Sequence, residues 1–253
     1  MPDTTTTPPP PPATPIQFGR NDAAPSVPLR AYGLRGPDPT QPLWQVIFYR
    51  SCYWIVMLLT TILYRLRLYG VGNVPRSGCG GLLLVANHQS FLDPPLIGIA
   101  LRRRNMASLA RENMFRVPGL RQLLLGLGSI PLRETEGDAG AIRAAIAELR
   151  KGRVMLIFPE GSRSWDGEIK PFKRGAWLLL SRAKADVLPA AVAGAFDAWP
   201  RSQKLPSLLG SRVGVAFGRP IPYAELKALG PEAGLARLPV SYTHLTLPTN
   251  REV

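Results

Sequence analysis

Two residue types that carry much of protein chemistry are scarce in this sequence, which has two cysteines and two histidines among 253 residues. Cys52 and Cys79 lie in unrelated surroundings, which predicts neither a disulfide framework nor a metal site and favours a reducing compartment. Because His244 lies in an atypical C-terminal tail, His88 is the one credible candidate for histidine chemistry. A G-x-S-x-G nucleophile elbow is missing as well, so nothing indicates a serine nucleophile.

Acidic residues are also few: 17 Asp and Glu stand against 31 Lys and Arg, a net charge of +14. Such an excess favours an anionic partner, which is a nucleic acid, a membrane surface or a phosphorylated substrate. The aromatic residues are not interleaved with the basic ones, and no zinc-finger or RNA-binding signature is present. Nucleic acid is therefore the weakest of the three, and no nucleic-acid partner is expected.

Residues 1–42 are rich in Thr, Pro and Gly and poor in apolar residues. This composition cannot bury a core, so we expect a disordered, Pro-rich arm. The arm lacks the basic start and the early apolar core of a signal peptide.

An abrupt change to apolar sequence follows at 43–64, and a membrane-associated helix is predicted over 43–67. Its 22 apolar-rich residues are long enough to span a bilayer, which takes ~20. They include Arg50, however, which shares one helical face with Thr61 and Arg65. This pattern favours a helix lying in the membrane interface, on the cytoplasmic side, anchored by aromatic residues. A single tilted span and a helix packed on the domain core are the alternatives.

Apolar runs typical of strands alternate with segments typical of helices over 68–238. Strands are predicted near 69–74, 81–86, 105–110, 129–133, 154–158, 187–195 and 213–217. Helices are predicted near 94–103, 118–127, 138–151, 172–184 and 223–229. The alternation predicts an α/β domain with a mostly parallel sheet covered by helices.

The stretch from Asn87 to Asp93 lies where a buried strand opens into a helix, the usual place for chemistry in α/β folds. His88 and Asp93 would point about 140° apart on one helix, so they can meet only if His88 precedes the helix. A His–Asp dyad provides a general base whose tautomer the carboxylate holds. The alternative is that Asp93 only caps the helix and that His88 is structural.

Polar residues follow two further predicted strands. Arg133 ends one, and Glu160, Gly161, Ser162 and Arg163 follow the other. Parallel strands end at the same edge of a sheet, so these groups are expected near His88. Together with Lys173, the two arginines would form a positive pocket suited to a phosphate.

Four segments resemble, in order, the four sequence blocks of glycerolipid acyltransferases, and of the 1-acylglycerol-3-phosphate (lysophosphatidate) acyltransferases in particular. They are Asn87–Asp93, Gly128–Arg133, Phe158–Ser164 and Leu188–Ala190. The departures are mild: Ser162 replaces the usual Thr, Ala190 a bulkier aliphatic, and Arg111 the usual Lys.

The resemblance implies transfer of a fatty acyl group from an acyl thioester, acyl-coenzyme A or acyl-carrier protein, to the free hydroxyl of lysophosphatidate, which gives phosphatidate. His88 would be the base and Asp93 its support. Arg133 and Arg163 would hold the acceptor phosphate, while Glu160 and Gly161 would shape the acceptor pocket. Neither metal nor cofactor is expected. The alternatives are another lyso-lipid acceptor, such as a lyso-ornithine lipid, and a non-catalytic basic membrane-binding protein.

Residues 239–253 show no continuity with the helix predicted at 223–229 and resemble translated adapter sequence. We therefore expect this tail to be non-native.

Overall fold

The computed structural model describes residues 43–76, 79–101, 104, 106–133, 138–208 and 211–243. The predictions for the arm at 1–42 and for residues 244–253 lie outside the described residues.

One seven-stranded mixed sheet forms the centre of the domain. Its strands are β1 Arg67–Tyr69, β2 Leu82–Ala86, β3 Met106–Arg111, β4 Ser129–Leu132, β5 Val154–Ile157, β6 Asp186–Ala193 and β7 Gly214–Phe217. Their spatial order is β1-β7-β6-β2-β5-β3-β4. The five strands from β6 to β4 run parallel to one another, whereas β7 is antiparallel to β6 and β1 is parallel to β7. The predicted α/β class with a mostly parallel sheet is confirmed.

Helices cover the sheet. They are α1 Leu43–Tyr64, α2 Asp93–Ala100, α3 Leu120–Gly126, α4 Ala139–Arg150, α5 Arg174–Ala183, α6 Ala195–Ala198 and α7 Tyr223–Thr243. Asp138 begins α4 by accepting the N–H groups of Gly140 and Ala141, which would otherwise lack partners at the helix start.

Side-chain alternation along β2 divides the core into two layers. Leu82, Leu84 and Ala86 pack with α1 and α2 on one face, and Leu83 and Val85 pack with α4, α5 and α7 on the other. All five residues are buried, as is typical of a central parallel strand with both faces covered. The residues that follow β2 are therefore held by the most rigid part of the sheet.

Helix α1 packs on the domain along one side only. Tyr53, Thr60 and Tyr64 are buried, and Phe48 lies so close to α3 that a Cβ at Gly126 would collide with its ring. The opposite side exposes large apolar residues, which are Leu43, Trp44, Ile47, Trp54, Ile55, Leu58, Leu59 and Ile62. By length and composition, Val46–Tyr64 is also apolar enough to cross a membrane. The helix thus has a face packed on the core and an apolar face without cover among the described residues.

Two elements differ from the prediction. The strand expected near 69–74 occupies Arg67–Tyr69, because Gly70 takes a left-handed conformation and turns the chain into a short 3₁₀ helix. The helix expected to stop near residue 229 changes direction at Gly230 and continues to Thr243. The predicted loss of continuity at residue 239 is therefore wrong, while the non-native origin of the tail stays a prediction.

Candidate active site

The candidate site begins at Asn87, directly after the central strand β2. The Asn87 side chain is buried and pairs with the backbone of Val192 in β6, donating to its carbonyl at 2.9 Å and accepting its N–H at 2.8 Å. An amide is needed here, because a single side chain must both donate and accept. This pairing fastens the loop that carries His88 to the neighbouring strand.

His88 and Asp93 meet across the turn between β2 and α2, with His88 Nδ1 2.8 Å from Asp93 Oδ2. Leu92 is the N-cap of α2, and Asp93 is its first residue. Instead of capping the helix, Asp93 Oδ2 also accepts the N–H groups of Gln89 at 2.7 Å and Ser90 at 2.8 Å. The interpretation of Asp93 as an N-cap is therefore wrong: its carboxylate turns back onto the loop that carries His88.

This geometry determines the state of the imidazole. A carboxylate can only accept hydrogen bonds, so Nδ1 carries the proton and Nε2 keeps the free lone pair. Asp93 is fully buried, whereas the His88 side chain is 19% exposed. The ring stacks on Phe158, with centroids 3.9 Å apart and an angle of 12° between planes. A base held in one orientation with limited access to solvent is what proton abstraction from a bound hydroxyl requires.

Glu160 holds the backbone of His88. One carboxylate oxygen accepts the His88 N–H at 2.8 Å, and the other accepts the Lys170 N–H at 3.2 Å. Burial raises the pKa of Glu160 above its usual value, while these two N–H groups act in the opposite direction. Glu160 therefore positions the His88 backbone, and its role in shaping the acceptor pocket stays a prediction.

Gly161, Ser162 and Lys173 lie together in the loop after β5. Gly161 has φ +72°, and a Cβ there would lie 2.8 Å from the Lys173 side chain. Lys173 N–H donates to the Pro159 carbonyl at 2.9 Å, which brings Lys173 back over the turn. Ser162 is half-buried in the same turn. These three residues thus lie close together in the structure, as predicted.

Arg163 lies next to the dyad turn. Its guanidinium carbon is 3.3 Å from the centroid of the Phe91 ring, and the N–H of the next residue, Ser164, donates to the His88 carbonyl at 2.8 Å. Burial lowers the pKa of Arg163, and the nearby Arg201 guanidinium lowers it further. Its Nη1 atom is buried and has no hydrogen-bond partner among the described residues. Arg163 is therefore a desolvated cation with hydrogen-bonding capacity to spare.

Arg133 is not brought into this cluster. It follows β4, three strands from β2, which corresponds to about 14 Å at the usual strand spacing. Its side chain is 71% exposed, with Nε 3.6 Å from Glu112 Oε2. Arg163 follows β5, which is separated from β4 by β3 alone, and the contacts described for Arg133 are with Glu112 and Asp138 rather than with Arg163. The shared phosphate pocket with Arg163 stays a prediction.

Four residues at the site were not found from the sequence. Phe91 and Phe158 lie inside recognisable segments, but their stacking on Arg163 and His88 has no sequence signal. Trp165 lies in the loop after β5 and Arg201 in the loop after α6, with the Arg201 guanidinium carbon 4.2 Å from the Trp165 ring centroid. Only the folded chain brings them to the dyad. Among the described residues, no group of three His, Cys, Asp or Glu side chains is placed to hold a metal ion.

Comparison with known proteins places this arrangement in a family. A family model described as Acyltransferase matches residues 65–193, half of the chain, which include every strand from β1 to β6 and the whole dyad turn. This chain belongs to the Acyltransferase family. The family match covers the dyad, Glu160 and Arg163 but ends before Arg201.

Curated relatives carry acyltransferase names. A chloroplastic 1-acyl-sn-glycerol-3-phosphate acyltransferase of Brassica napus is 27% identical over 133 residues, 52% of this chain and 38% of its own length. A lyso-ornithine lipid O-acyltransferase of Pseudomonas aeruginosa is 31% identical over 171 residues, 67% of this chain and 62% of its own length. The chain thus spans less than two thirds of these relatives.

A solved structure shares the fold. The 1-acyl-sn-glycerophosphate acyltransferase of Thermotoga maritima superposes with a TM-score of 0.67, covering 80% of each chain at 23% identity. The similarity confirms the α/β architecture of this member of the Acyltransferase family.

Proposed function

We propose that this chain transfers a fatty acyl group from an acyl thioester to the free hydroxyl of lysophosphatidate, which yields phosphatidate for phospholipid synthesis. The observation that carries the proposal is the 2.8 Å bond between His88 Nδ1 and a fully buried Asp93, beside the desolvated Arg163. The names of several relatives, including those of Brassica napus and Borreliella burgdorferi, support the choice of acceptor.

In the proposed reaction, His88 Nε2 takes the proton of the acceptor hydroxyl as its oxygen attacks the thioester carbonyl carbon. Asp93 stabilises the imidazolium that forms, as the carboxylate of a catalytic triad does. The tetrahedral intermediate collapses by breaking the C–S bond, and the departing thiolate takes the proton from His88. The products are an ester and a free thiol, so neither an acyl-enzyme nor a change of oxidation state is involved.

Arg163 is proposed to bind the acceptor phosphate. It combines a delocalised cation, a buried Nη1 without a hydrogen-bond partner in the described part of the chain and a direct backbone connection to the dyad loop through Ser164. Lys173, exposed beside Gly161, supplies a second positive charge at the rim. The phosphate would thereby hold the lipid hydroxyl near His88, and positioning of this kind is a large part of catalysis.

The exposed apolar side of α1 is proposed to lie in the cytoplasmic face of a membrane, from which the lipid acceptor and the acyl tail would enter. Residues such as Leu58 and Ile62, 61% and 66% exposed, would gain by leaving water. The excess of basic residues suits an anionic membrane surface. The acyl donor, acyl-coenzyme A or acyl-carrier protein, is a co-substrate, and the proposed steps involve no metal or cofactor.

A second acceptor, a lyso-ornithine lipid, is favoured by the Pseudomonas aeruginosa relative. A third candidate is a basic membrane-binding protein without catalysis. The hydrogen bonds that Asp93 Oδ2 accepts from His88 and the dyad turn argue against it, because membrane binding makes no use of an oriented base.

The test is transfer of a labelled acyl group from acyl-coenzyme A and from acyl-carrier protein to lysophosphatidate and to a lyso-ornithine lipid. Membranes carrying wild type, His88→Ala or Arg143→Ala are compared, the last being an exposed substitution on α4. We expect phosphatidate from wild type and Arg143→Ala and none from His88→Ala. Turnover by His88→Ala would refute the dyad, and exclusive use of the lyso-ornithine acceptor would refute lysophosphatidate as substrate.

A further inference from the structure

Three loops at the carboxyl edge of the sheet are fastened together around the dyad. Ser90, in the dyad turn, donates its hydroxyl to the carbonyl of Trp199, which follows α6, at 2.8 Å. Arg201, two residues further on, donates through Nη1 to the carbonyl of Arg163 at 3.4 Å. Arg201 is therefore held against the dyad turn on one side and against the β5 loop on the other.

Both arginines of this edge stack on aromatic rings. Arg163 lies over Phe91, and Arg201 lies over Trp165, with guanidinium carbons 3.3 Å and 4.2 Å from the ring centroids. Phe91 is itself supported by Trp199, with ring centroids 5.2 Å apart. Stacking fixes the plane of a guanidinium but leaves the N–H groups along its edge free to bind a ligand.

The two positive charges are not neutralised by an ion pair. Of the residues that the structure describes, no acidic side chain lies within salt-bridge distance of Arg163 or Arg201. Their mutual repulsion contributes to the lowered pKa of Arg163, for which burial is the larger cause. The Asp93 carboxylate acts in the opposite direction on the pKa of Arg163, and Arg111 adds a further repulsion. Two adjacent cations that are held by aromatic rings without an ion-pair partner among the described residues form a site that an anion of two charges would complete.

We propose that Arg201 is a second phosphate-binding residue beside Arg163, and that the pair selects acceptors with a terminal phosphomonoester. This inference rests on the proposed function and deepens it. A phosphomonoester carries about −1.5 to −2 charges near pH 7 and three terminal oxygens. A phosphodiester lyso-lipid has one charge and two such oxygens, and a lyso-ornithine lipid has no phosphate, so neither makes full use of two guanidinium groups.

The experiment compares wild type with Arg201→Met, Arg201→Lys and Lys204→Met. Methionine keeps apolar contact with Trp165 but removes the charge, and lysine keeps the charge but loses the planar fork. Lys204 is exposed in the same loop, so Lys204→Met controls for a loss of net charge there. The measured quantities are kcat and the KM values for lysophosphatidate, for lysophosphatidylglycerol as a phosphodiester acceptor, and for the acyl donor.

We expect Arg201→Met to raise the KM for lysophosphatidate about 10- to 100-fold, the effect of one charge-assisted hydrogen-bonding partner. The KM for lysophosphatidylglycerol should change less than tenfold, and that for the donor should not change. Arg201→Lys should give an intermediate value, and Lys204→Met the wild-type value. Equal changes for the two acceptors would overturn the proposal, as would an effect on the donor alone, which would assign Arg201 to the phosphates of coenzyme A.

Calorimetric titration with glycerol 3-phosphate decides the matter even where no acyl transfer is observed. Wild type and Lys204→Met should bind this soluble phosphomonoester, and Arg201→Met should bind it at least tenfold more weakly. Binding without turnover in the wild type would refute the proposed function and leave the phosphate site standing. Equal affinities of wild type and Arg201→Met, or no binding by either, would refute the phosphate site.

Discussion

Replacement of Asp93 by Asn separates the charge of this residue from its role in the turn. Asp93 Oδ2 accepts three hydrogen bonds, from His88 Nδ1, Gln89 N–H and Ser90 N–H, whereas Oδ1 is buried and has no partner among the residues that the structure describes. An asparagine can place its single carbonyl oxygen where Oδ2 lies, because the opposite orientation would set its NH2 group against three donors. The turn and the His88 tautomer are then preserved and the negative charge is lost, while the NH2 group takes the buried place of Oδ1.

The magnitude follows from the interaction with the imidazolium. A pair of unit charges about 4 Å apart gains about 4 kcal/mol at an effective dielectric constant of about 20. Some of this is retained by the neutral hydrogen bond, so a loss of about 3–4 kcal/mol in the transition state is expected, equal to a drop in kcat of about 100- to 1000-fold. Asp93→Ala should instead destabilise the fold by about 2–6 kcal/mol, because two backbone N–H groups lose their acceptor.

The assay is acyl transfer to lysophosphatidate, with urea unfolding measured in parallel for wild type, Asp93→Asn and Asp93→Ala. We expect Asp93→Asn to keep the midpoint and slope of unfolding close to wild type while kcat falls. Wild-type kcat in Asp93→Asn would refute the electrostatic role of the carboxylate. Equal losses of stability in the two variants would show that the asparagine does not preserve the turn.

Three further predictions concern the loop after β5 and helix α1. Because burial raises the pKa of Glu160 above its usual 4.5, its protonation favours the folded state, and that stabilisation is lost as pH rises through the folded pKa. The free energy of unfolding of wild type, measured with denaturant, should therefore rise relative to that of Glu160→Gln on acidification towards about pH 4.5. Gly161→Ala should destabilise by about 1–2 kcal/mol through its positive φ, whereas Gly175→Ala, with open space at its Cβ in α5, should stabilise by about 0.5–1 kcal/mol. Changes in stability of the same sign for Gly161→Ala and Gly175→Ala, measured by calorimetric unfolding, would contradict this prediction. Leu58→Glu should weaken binding to vesicles in a flotation assay more than tenfold at unchanged Tm, since an exposed leucine contributes about 1.5–3 kcal/mol when buried in lipid. Unchanged flotation would exclude this face of α1 as the membrane-binding surface.

The local pattern of apolar residues was sufficient to predict most strands of the sheet. The apolar run before Asn87 and the run at 154–158 were placed as strands within a residue of their observed ends, because a central parallel strand is buried on both faces and leaves no polar interruption. The edge strand β1 lies earlier in the chain than the strand predicted near 69–74. It has three residues, and its end depends on the left-handed turn at Gly70, which packs against the Phe217 backbone of β7.

Helix boundaries, like the end of β1, depend on tertiary contacts that local sequence does not reveal. Asp93 before Pro94 and Pro95 has the composition of an N-cap, yet its carboxylate is recruited by the backbone of Gln89 and Ser90. Helical structure after Gly230 was missed, because the glycine reads as a stop, whereas here it redirects the chain and a new helical segment packs Leu238 into the core. In both cases a tertiary contact outweighed a local preference.

The sequence alone determined that His88 follows a buried strand, that Asp93 lies five residues later, and that Arg163 follows a second such strand. Strand periodicity and the unusual scarcity of histidine were sufficient for this, since both are local properties of the chain. Only the tertiary structure decided which basic residues share the site. The strand order sets Arg133, at the end of β4, three strands from β2, and it brings Arg201 against Arg163. The sequence does not reveal this, because spatial order in a sheet is independent of order along the chain. It likewise showed that Glu160 accepts the His88 N–H, because a hydrogen bond across 72 positions leaves no trace in local composition.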